Sequence, residues 1–168
     1  MLSARLSRAD VEAAITPDVL TQSRILQIAL TLGPLVLFLL VSFQSTRPAS
    51  AGGSDDVLTI LTMLDAGILF AALGASTFLV SRLRESGLET AESGAEAVRI
   101  LRRTALLRMV FLEVAAMFGI VVLLIAANWG RLDTRPSLWW NTLPLIVLIG
   151  AALVTFPSRE RFLGQLDG

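Results

Sequence analysis

Two carboxylic acids, Asp65 and Glu113, are the residues of this sequence best placed to do chemistry, because each lies within a long apolar run. An acid near the centre of a membrane helix costs about 2.5 to 3.5 kcal/mol on insertion scales, so it is expected to face the protein interior and to have a function. A lone buried carboxylate can load and release a proton or a cation. Glu113 and Asp65 are therefore our candidate ion-binding residues.

Each acid also has a structural interpretation. Arg108 precedes Glu113 by five residues and lies on a neighbouring face, so an internal ion pair could fix the register of that helix. Asp65 could make a polar contact or extend toward the membrane surface. At 1.5 Å per residue, each acid lies about 12 Å inside opposite membrane surfaces, so we do not expect the two to share a proton.

The remaining composition excludes most other chemistry. The 168 residues include 14 cationic side chains, all arginine, balanced by 14 acids, and the sequence has no Lys, His, Cys or Tyr. A His or Cys metal site, a Cys nucleophile, a Schiff-base lysine and any disulfide are thereby excluded. We predict no enzyme activity, no catalytic residue, no metal and no cofactor, and the neutral charge balance does not indicate a nucleic-acid partner.

The elements that must position these acids are membrane spans. With 54% hydrophobic residues, the chain contains four runs close to the roughly 20 apolar residues that cross a bilayer. The predicted spans cover residues 25–43, 57–80, 105–127 and 138–156. We predict an all-α polytopic membrane protein, a single membrane domain over residues 1–168 with four transmembrane helices in two hairpins, surrounded by the lipid bilayer.

The distribution of arginines predicts the orientation. Short loops rich in cations are retained on the cytoplasmic side. Eleven arginines fall before span 1, between spans 2 and 3 or in the first turn of span 3, or after span 4, and only Arg47, Arg131 and Arg135 lie in the other two loops. The prediction is a multi-pass protein of the bacterial inner membrane with both termini cytoplasmic.

Local signals mark the start of the chain. Residues 1–16 are predicted to form an interfacial segment, with a helix start at Ser7–Asp10 and an apolar stripe through Leu2, Leu6, Ala9 and Ala13. The Thr16-Pro17-Asp18 sequence is typical of a helix N-terminus, so the first spanning helix should begin there. Ala49-Ser50-Ala51 fits a signal-peptidase pattern, but the 19-residue run before it favours an anchor.

The loops carry two further signals. Residues 82–104 alternate Glu and Arg and predict a cytoplasmic helical hairpin, which is either a docking surface or a solvated surface. The segment 44–56 looks like a flexible spacer. Trp129, Trp139 and Trp140 fall at the outer ends of spans 3 and 4, where they are interface anchors or, if they converge, a cation-binding cage.

Small residues spaced four apart predict close helix packing in the membrane. They either pack the four helices together or leave one face free for an oligomer. These residues are Gly33, Gly67, Ala71, Ala75, Ala115 and Gly119. A weak internal match also aligns residues 78–84 with residues 155–161, which would make the two hairpins a repeat.

The approach to span 3 resembles the outer helix of the proteolipid c subunit of rotary ATP synthases. Arg102, Thr104, Glu113, Phe118 and Gly119 follow the spacing of that helix over some 25 residues. The resemblance implies that Glu113 would be the proton- or cation-binding residue. The preceding helix departs from that family, because it lacks the dense alternating glycines of c subunits.

The chain is also similar to uncharacterised four-span bacterial membrane proteins. They share an arginine-rich approach, a Leu-Glu in span 3, here Leu112-Glu113, and a Pro-Ser-Arg-Glu ending, here residues 157–160. The resulting expectation is a small structural or accessory subunit that oligomerises or packs in a larger membrane complex. The alternative is proteolipid-like proton or cation handling through Glu113.

Overall fold

A computed structural model of the protein describes residues 7–44 and 53–164. All regular secondary structure in these two ranges is helical, which confirms the all-α prediction. The α-helices described are α1 (Arg8–Ala14), α2 (Pro17–Gln44), α3 (Asp55–Gly74), α4 (Val80–Thr90), α5 (Gly94–Asn128), α6 (Leu143–Val154) and α7 (Arg159–Gly164). A π-helical turn, Ala75–Leu79, joins α3 to α4, and a 3-10 helix, Pro136–Thr142, leads into α6.

Four helical segments are long and apolar enough to cross a membrane, so the fold is that of a polytopic membrane protein. They are Pro17–Gln44, Asp55–Thr90, Gly94–Asn128 and Pro136–Val154. The first three predicted spans lie inside these segments, and the fourth ends two residues beyond Val154. The signal-peptidase pattern, most of the predicted spacer 44–56 and the arginines at positions 5 and 47 lie outside the described residues.

α5 is the central helix of the structure. α2, α3, α6 and the 3-10 helix each pack along it, and α1 and α4 pack on its N-terminal part. α2 also contacts α6, whereas α2 and α3 share almost no contact although they follow each other in the chain. The main apolar core is accordingly built around α5: Leu112 and Leu123 are buried with Leu58 of α3 and Leu148 of α6.

The two ends of the bundle differ in composition. The end that holds α1, α4 and α7 is named here the arginine-rich end, and the end that holds Trp129, Trp139 and Trp140 the tryptophan-rich end. At the tryptophan-rich end, the guanidinium groups of Arg131 and Arg135 lie 3.4 and 3.9 Å from the Asp55 carboxylate at the start of α3. These contacts tie the segment after α5 to the N-terminus of α3.

Side chains cap the helix starts that the sequence predicted. Ser7 and Asp10 form a reciprocal capping box at the start of α1. The Ser7 hydroxyl and, to a smaller extent, the Ser7 backbone N–H donate hydrogen bonds to the Asp10 carboxylate and so lower the pKa of Asp10. α2 begins at Pro17 as predicted, and the Thr16 side chain accepts a hydrogen bond from the Val19 backbone.

α1 docks against the N-terminal part of α5. Val11 is fully buried in an apolar cluster that includes Leu88 of α4 and Leu101 of α5. Ala9 and Ala13 of the predicted stripe are exposed, and α1 packs on α5 through its opposite face, at Val11. The other two members of the stripe, residues 2 and 6, lie outside the described residues.

The carbonyl groups at the end of α6 find side-chain donors from other helices. Gln27 of α2 donates to the Ala152 carbonyl at 2.7 Å, and Arg161 donates to the Leu153 carbonyl at 3.2 Å. Arg24 donates to the Pro157 carbonyl at 3.0 Å. The last carbonyl groups of a helix have no N–H donor within that helix, and a bilayer offers no water to replace it. Side chains of α2 and α7 supply these donors here.

The two segments of the weak internal match differ in structure. Residues 78–84 continue through the π-helical turn into α4, and Gly87 does not interrupt that helix. Residues 155–158 leave α6 and break the helix before α7. The difference follows from Pro157, which disfavours helix at the residue before it, whereas no proline follows span 2 in the chain until Pro136.

Replacing Gly94 tests the docking of α1. A Cβ at this first residue of α5 would overlap the Asp10 carbonyl, so Gly94→Ala should weaken the contact by about 1–3 kcal/mol. Amide hydrogen exchange in α1 should then become about tenfold faster or more, since 1.4 kcal/mol is a factor of ten. Gly150→Ala is the matched control, because a Cβ there meets nothing within 4 Å. Equal exchange in the two variants would contradict the assigned contact.

Candidate functional site

Asp65 lies on the face of α3 that packs against α5, and only 3% of the residue is exposed. Its Oδ1 atom has no hydrogen-bond partner among the described residues. A Cβ on Gly119 of α5 would lie 3.2 Å from both carboxyl oxygens. The carboxyl group therefore rests against the backbone of α5, in the space that a side chain at position 119 would occupy.

Asn141 of the 3-10 helix lies on the other side of the Asp65 site and is 1% exposed. Its Nδ2 atom donates to the Leu138 carbonyl at 2.7 Å and to the Thr62 hydroxyl at 3.1 Å, one turn before Asp65 on α3. Because a backbone carbonyl only accepts, the amide must present its nitrogen to Leu138. Its Oδ1 atom is then left buried and, within the described ranges, without a partner.

Gly119 brings the two side chains together. A Cβ on this residue would overlap the backbone carbonyl oxygen of Asn141 as well as crowd the Asp65 carboxyl group. The absence of a side chain thus allows α3 and the 3-10 helix to approach the same turn of α5. The resulting site contains buried oxygen acceptors from two elements, a set that can hold a proton or a small cation.

Glu113 lies elsewhere on α5. It is partly buried and precedes Gly119 by six residues, which places it about 9 Å along the helix and about 120° around it. The sequence-based expectation that the two acids do not share a proton agrees with this arrangement. Glu113 borders the exposed residues Val110 and Val114.

Arg108 does not pair with Glu113. The ion pairs of the described residues join Arg131 and Arg135 to Asp55, and Arg159 to Glu12. Five residues along a helix amount to about 140° of rotation, so the Arg108 and Glu113 side chains diverge. The internal ion pair suggested by the sequence is therefore not formed, and Arg108 instead lines a cavity of about 130 Å³ with Arg84.

The six small residues differ in burial. Ala115 and Gly119 are buried on α5, where they admit the neighbouring helices. Ala75 is half-buried at the start of the π-helical turn. The exposed ones are Gly33, Gly67 and Ala71. A Cβ on Gly33 or Gly67 would meet nothing within 4 Å, so these two glycines take no part in packing among the described residues.

The three tryptophans have separate surroundings. The ring of Trp129 covers Gly53, whose φ of +94° suits a glycine. Trp139 packs edge-on against Phe38 of α2, with ring centroids 6.4 Å apart, and Trp140 is 71% exposed. A cage built from all three is not seen, and an exposed Trp140 suits an interface anchor.

Sequence reasoning missed the two amide side chains, Asn141 and Gln27. Both lie within predicted spans and carry no charge. An uncharged amide in a membrane helix is itself a signal, because it must find partners in the protein. Asn141 forms one wall of the Asp65 site, and Gln27 joins α2 to α6.

The described residues include no group of three or more Asp, Glu, His or Cys side chains that could hold a metal ion. The chemistry available at the Asp65 site is that of one carboxyl group and the oxygen atoms around it.

The close approach at Gly119 is tested by adding one methyl group. Gly119→Ala should lower the free energy of unfolding by about 1–3 kcal/mol, because the new Cβ overlaps the Asn141 carbonyl. Gly67→Ala is the matched control on α3; its Cβ meets nothing, so the higher helix propensity of alanine should stabilise by up to about 1 kcal/mol. Reversible unfolding in mixed micelles measures both. Equal effects would disprove the contact.

In comparisons with protein-family models, with curated proteins and with solved structures, the chain matches none of them.

Proposed function

We propose that the protein is a small structural or accessory subunit of a larger assembly in the bacterial inner membrane, and that its copies contact one another through α5 and α3. The observation that carries this proposal is an uncovered face on the central helix. Val110, Val114 and Val121 of α5 are exposed, and Val114 is 58% exposed, although α2, α3 and α6 surround the rest of the helix. These three residues are named here the valine face.

Glu113 lies at the edge of the valine face. It is only half-buried and has no ion pair with a described residue. A carboxyl group exposed to hydrocarbon is costly, and polar side chains in membrane helices usually contact another helix. An occupant of the valine face would cover both the apolar side chains and this carboxyl group.

A second copy of the chain offers a complementary surface. Gly67, Ala71 and Gly74 are exposed on one face of α3, and this row of small residues is named here the α3 notch. Because α3 and α5 are antiparallel and Asp65 lies opposite Gly119, residues 67–74 are level with residues 110–117. Branched valines can enter a groove of small residues closely, which is how membrane helices gain packing energy.

The contact would join two different surfaces, the valine face of one copy and the α3 notch of the next. Such heterologous contacts generate rings when the rotation closes and larger arrays when it does not. Cross-linking can distinguish them from a symmetric dimer, and the chain is well suited to it because the sequence has no cysteine.

We expect the double variant Val114→Cys/Ala71→Cys to form disulfide-linked multimers when its membranes are oxidised, since each copy carries both halves of the contact. The single variant Val114→Cys should remain monomeric, because its cysteine faces Ala71 of the next copy. The ladder on a non-reducing gel measures the outcome.

The matched control is Val114→Cys/Leu153→Cys, because Leu153 is 70% exposed on α6, away from both surfaces. Multimers that form equally well in this control, or no multimers in either double variant, would refute the proposed contact. Dimers of the single variant would indicate a symmetric contact at the valine face and would also refute the heterologous arrangement.

A second candidate function, proton or cation handling through Glu113, is favoured by the absence of an ion pair with a described residue and by the resemblance of its helix to c subunits. If Glu113 exchanges a proton, a hydrophobic carbodiimide should label the protein in a pH-dependent manner, and Glu113→Gln should abolish the labelling. Asp65→Asn is the control, because it removes the other carboxyl group within the spans and should leave labelling at Glu113 intact. Lack of labelling at every pH would eliminate this candidate.

The arginine distribution supports the proposed orientation, with the arginine-rich end and both termini in the cytoplasm. The lipid bilayer and other copies of the chain are the proposed partners. Neither nucleic-acid binding nor enzyme activity is part of the proposal.

A further inference from the structure

We propose that Asp65, Asn141 and Gly119 form a proton-binding site, in which Asp65 carries a proton at neutral pH and donates it in a hydrogen bond to an oxygen atom of Asn141. The site is distinct from the valine face and from Glu113, so the inference does not depend on the proposed oligomer. Its ligand is a proton, held between α3 and the 3-10 helix.

The first step of the argument is the set of hydrogen-bonding atoms. Asp65 Oδ1 and Asn141 Oδ1 are both buried, and neither has a partner in the part of the chain that the structure describes. Both atoms are acceptors when Asp65 is ionised, and buried acceptors without donors are rare in folded proteins. A hydrogen on the Asp65 carboxyl group would supply the donor that these acceptors lack, and both the carboxyl group and the Asn141 carbonyl lie against Gly119.

The amide of Asn141 cannot supply that donor by rotating. Its Nδ2 atom already donates to the Leu138 carbonyl and the Thr62 hydroxyl. Exchanging the two ends of the amide would place its oxygen against the Leu138 carbonyl oxygen, and two acceptors repel each other. A protonated Asp65 carboxyl group can supply the donor instead.

The second step is the absence of a cation that could stabilise an ionised Asp65. Along the continuous helical segment Asp55–Thr90, the charged residues nearest to Asp65 are Asp56 on α3 and Arg82 on α4. α2 has no charged residue between Arg24 and its end. The segment 136–154, which includes Asn141, has no charged residue at all. On α5, the nearest charged group is the acid Glu113, about 9 Å from Gly119 along the helix.

Arginine from the tryptophan-rich end does not reach the site either. Arg135 donates to the Thr59 hydroxyl and to the Asp55 carbonyl, and Thr59 precedes Asp65 by six residues, or about 9 Å. An ionised carboxylate would thus lie in an apolar interior with no counterion, which is strongly unfavourable, whereas the neutral acid can be satisfied by a hydrogen bond.

The proton on Asp65 also affects how firmly α3 packs against α5 and the 3-10 helix. Most of the apolar surface of α3 faces away from the other helices, so α3 is held mainly by its packing against α5, with a smaller contribution from the 3-10 helix. Loss of the proton would leave a negative charge against the Asn141 carbonyl oxygen at Gly119. We expect α3 to loosen at this point when the pH is raised far enough to ionise Asp65.

Infrared spectroscopy of the purified full-length protein in lipid nanodiscs tests the proposal directly. A protonated carboxyl group has a C=O stretching band separate from those of carboxylates and amides. At neutral pH the wild type should show this band, and Asp65→Asn should lose it. Glu113→Gln is the matched control and should retain the band if Asp65 is its source.

Thermal unfolding gives a second readout that does not depend on the band. The wild type should lose stability as the pH is raised above the range in which aspartate ionises in an unfolded chain, and the loss should level off once the band has disappeared. Asp65→Asn should show no such loss, because its amide N–H can donate to the same oxygen and does not ionise in this range.

Three results would overturn the proposal. The first is the absence of a protonated-carboxyl band in the wild type at neutral pH. The second is a band that persists in Asp65→Asn. The third is loss of the band when Na⁺ or Li⁺ replaces K⁺ at constant pH and ionic strength, which would assign the site to a metal cation.

Discussion

The contact at Gly119 determines how the other helices of this protein can pack. Because residue 119 has no side chain, the backbone of α5 is open to Asp65 from α3 and to the Asn141 carbonyl from the 3-10 helix. Two elements thereby reach one turn of the central helix. On one side of this turn, Leu69, Ala72 and Ala115 form a small apolar cluster. On the other, Thr62 accepts from Asn141. The placement of α3 depends on both contacts.

A second constraint is the lack of water within a bilayer, which leaves the carbonyl groups at helix ends to be satisfied by the protein. α6 has only 12 residues, and its last carbonyls fall near the arginine-rich end. Gln27, Arg24 and Arg161 donate to this segment from α2 and α7. The same hydrogen bonds join helices that are distant in the chain, so the capping of α6 also fixes α2 beside it.

The fold was largely predictable from the sequence, and the site was predictable only in part. The lengths of the apolar runs predict the four spanning segments, and the Thr16-Pro17 pair predicts the start of α2. Both predictions succeed because each depends only on residues that are close together in the sequence. The sequence allowed an ion pair between Arg108 and Glu113 on neighbouring faces, but the rotation of about 140° along the helix separates the two side chains. The importance of Asn141 depends on the contact of its element with Gly119, 22 positions earlier, and no local pattern in the sequence encodes such a contact.

The difference between the two acids follows from the central position of α5. A helix with three neighbours buries most of its surface, so a residue that points into one of those contacts is enclosed, as Asp65 is when α3 packs against Gly119. Glu113 belongs to α5 itself but lies beside the one face that no helix covers. The free-energy cost of placing a carboxyl group in the membrane is similar for Asp65 and Glu113, but the two groups can be stabilised in different ways. Asp65 can be satisfied within its own chain by a hydrogen bond, whereas Glu113 has no ion pair with a described residue and lies beside an uncovered face. Under the two proposals made above, Asp65 would contribute to the stability of the folded chain and Glu113 to the contact between copies.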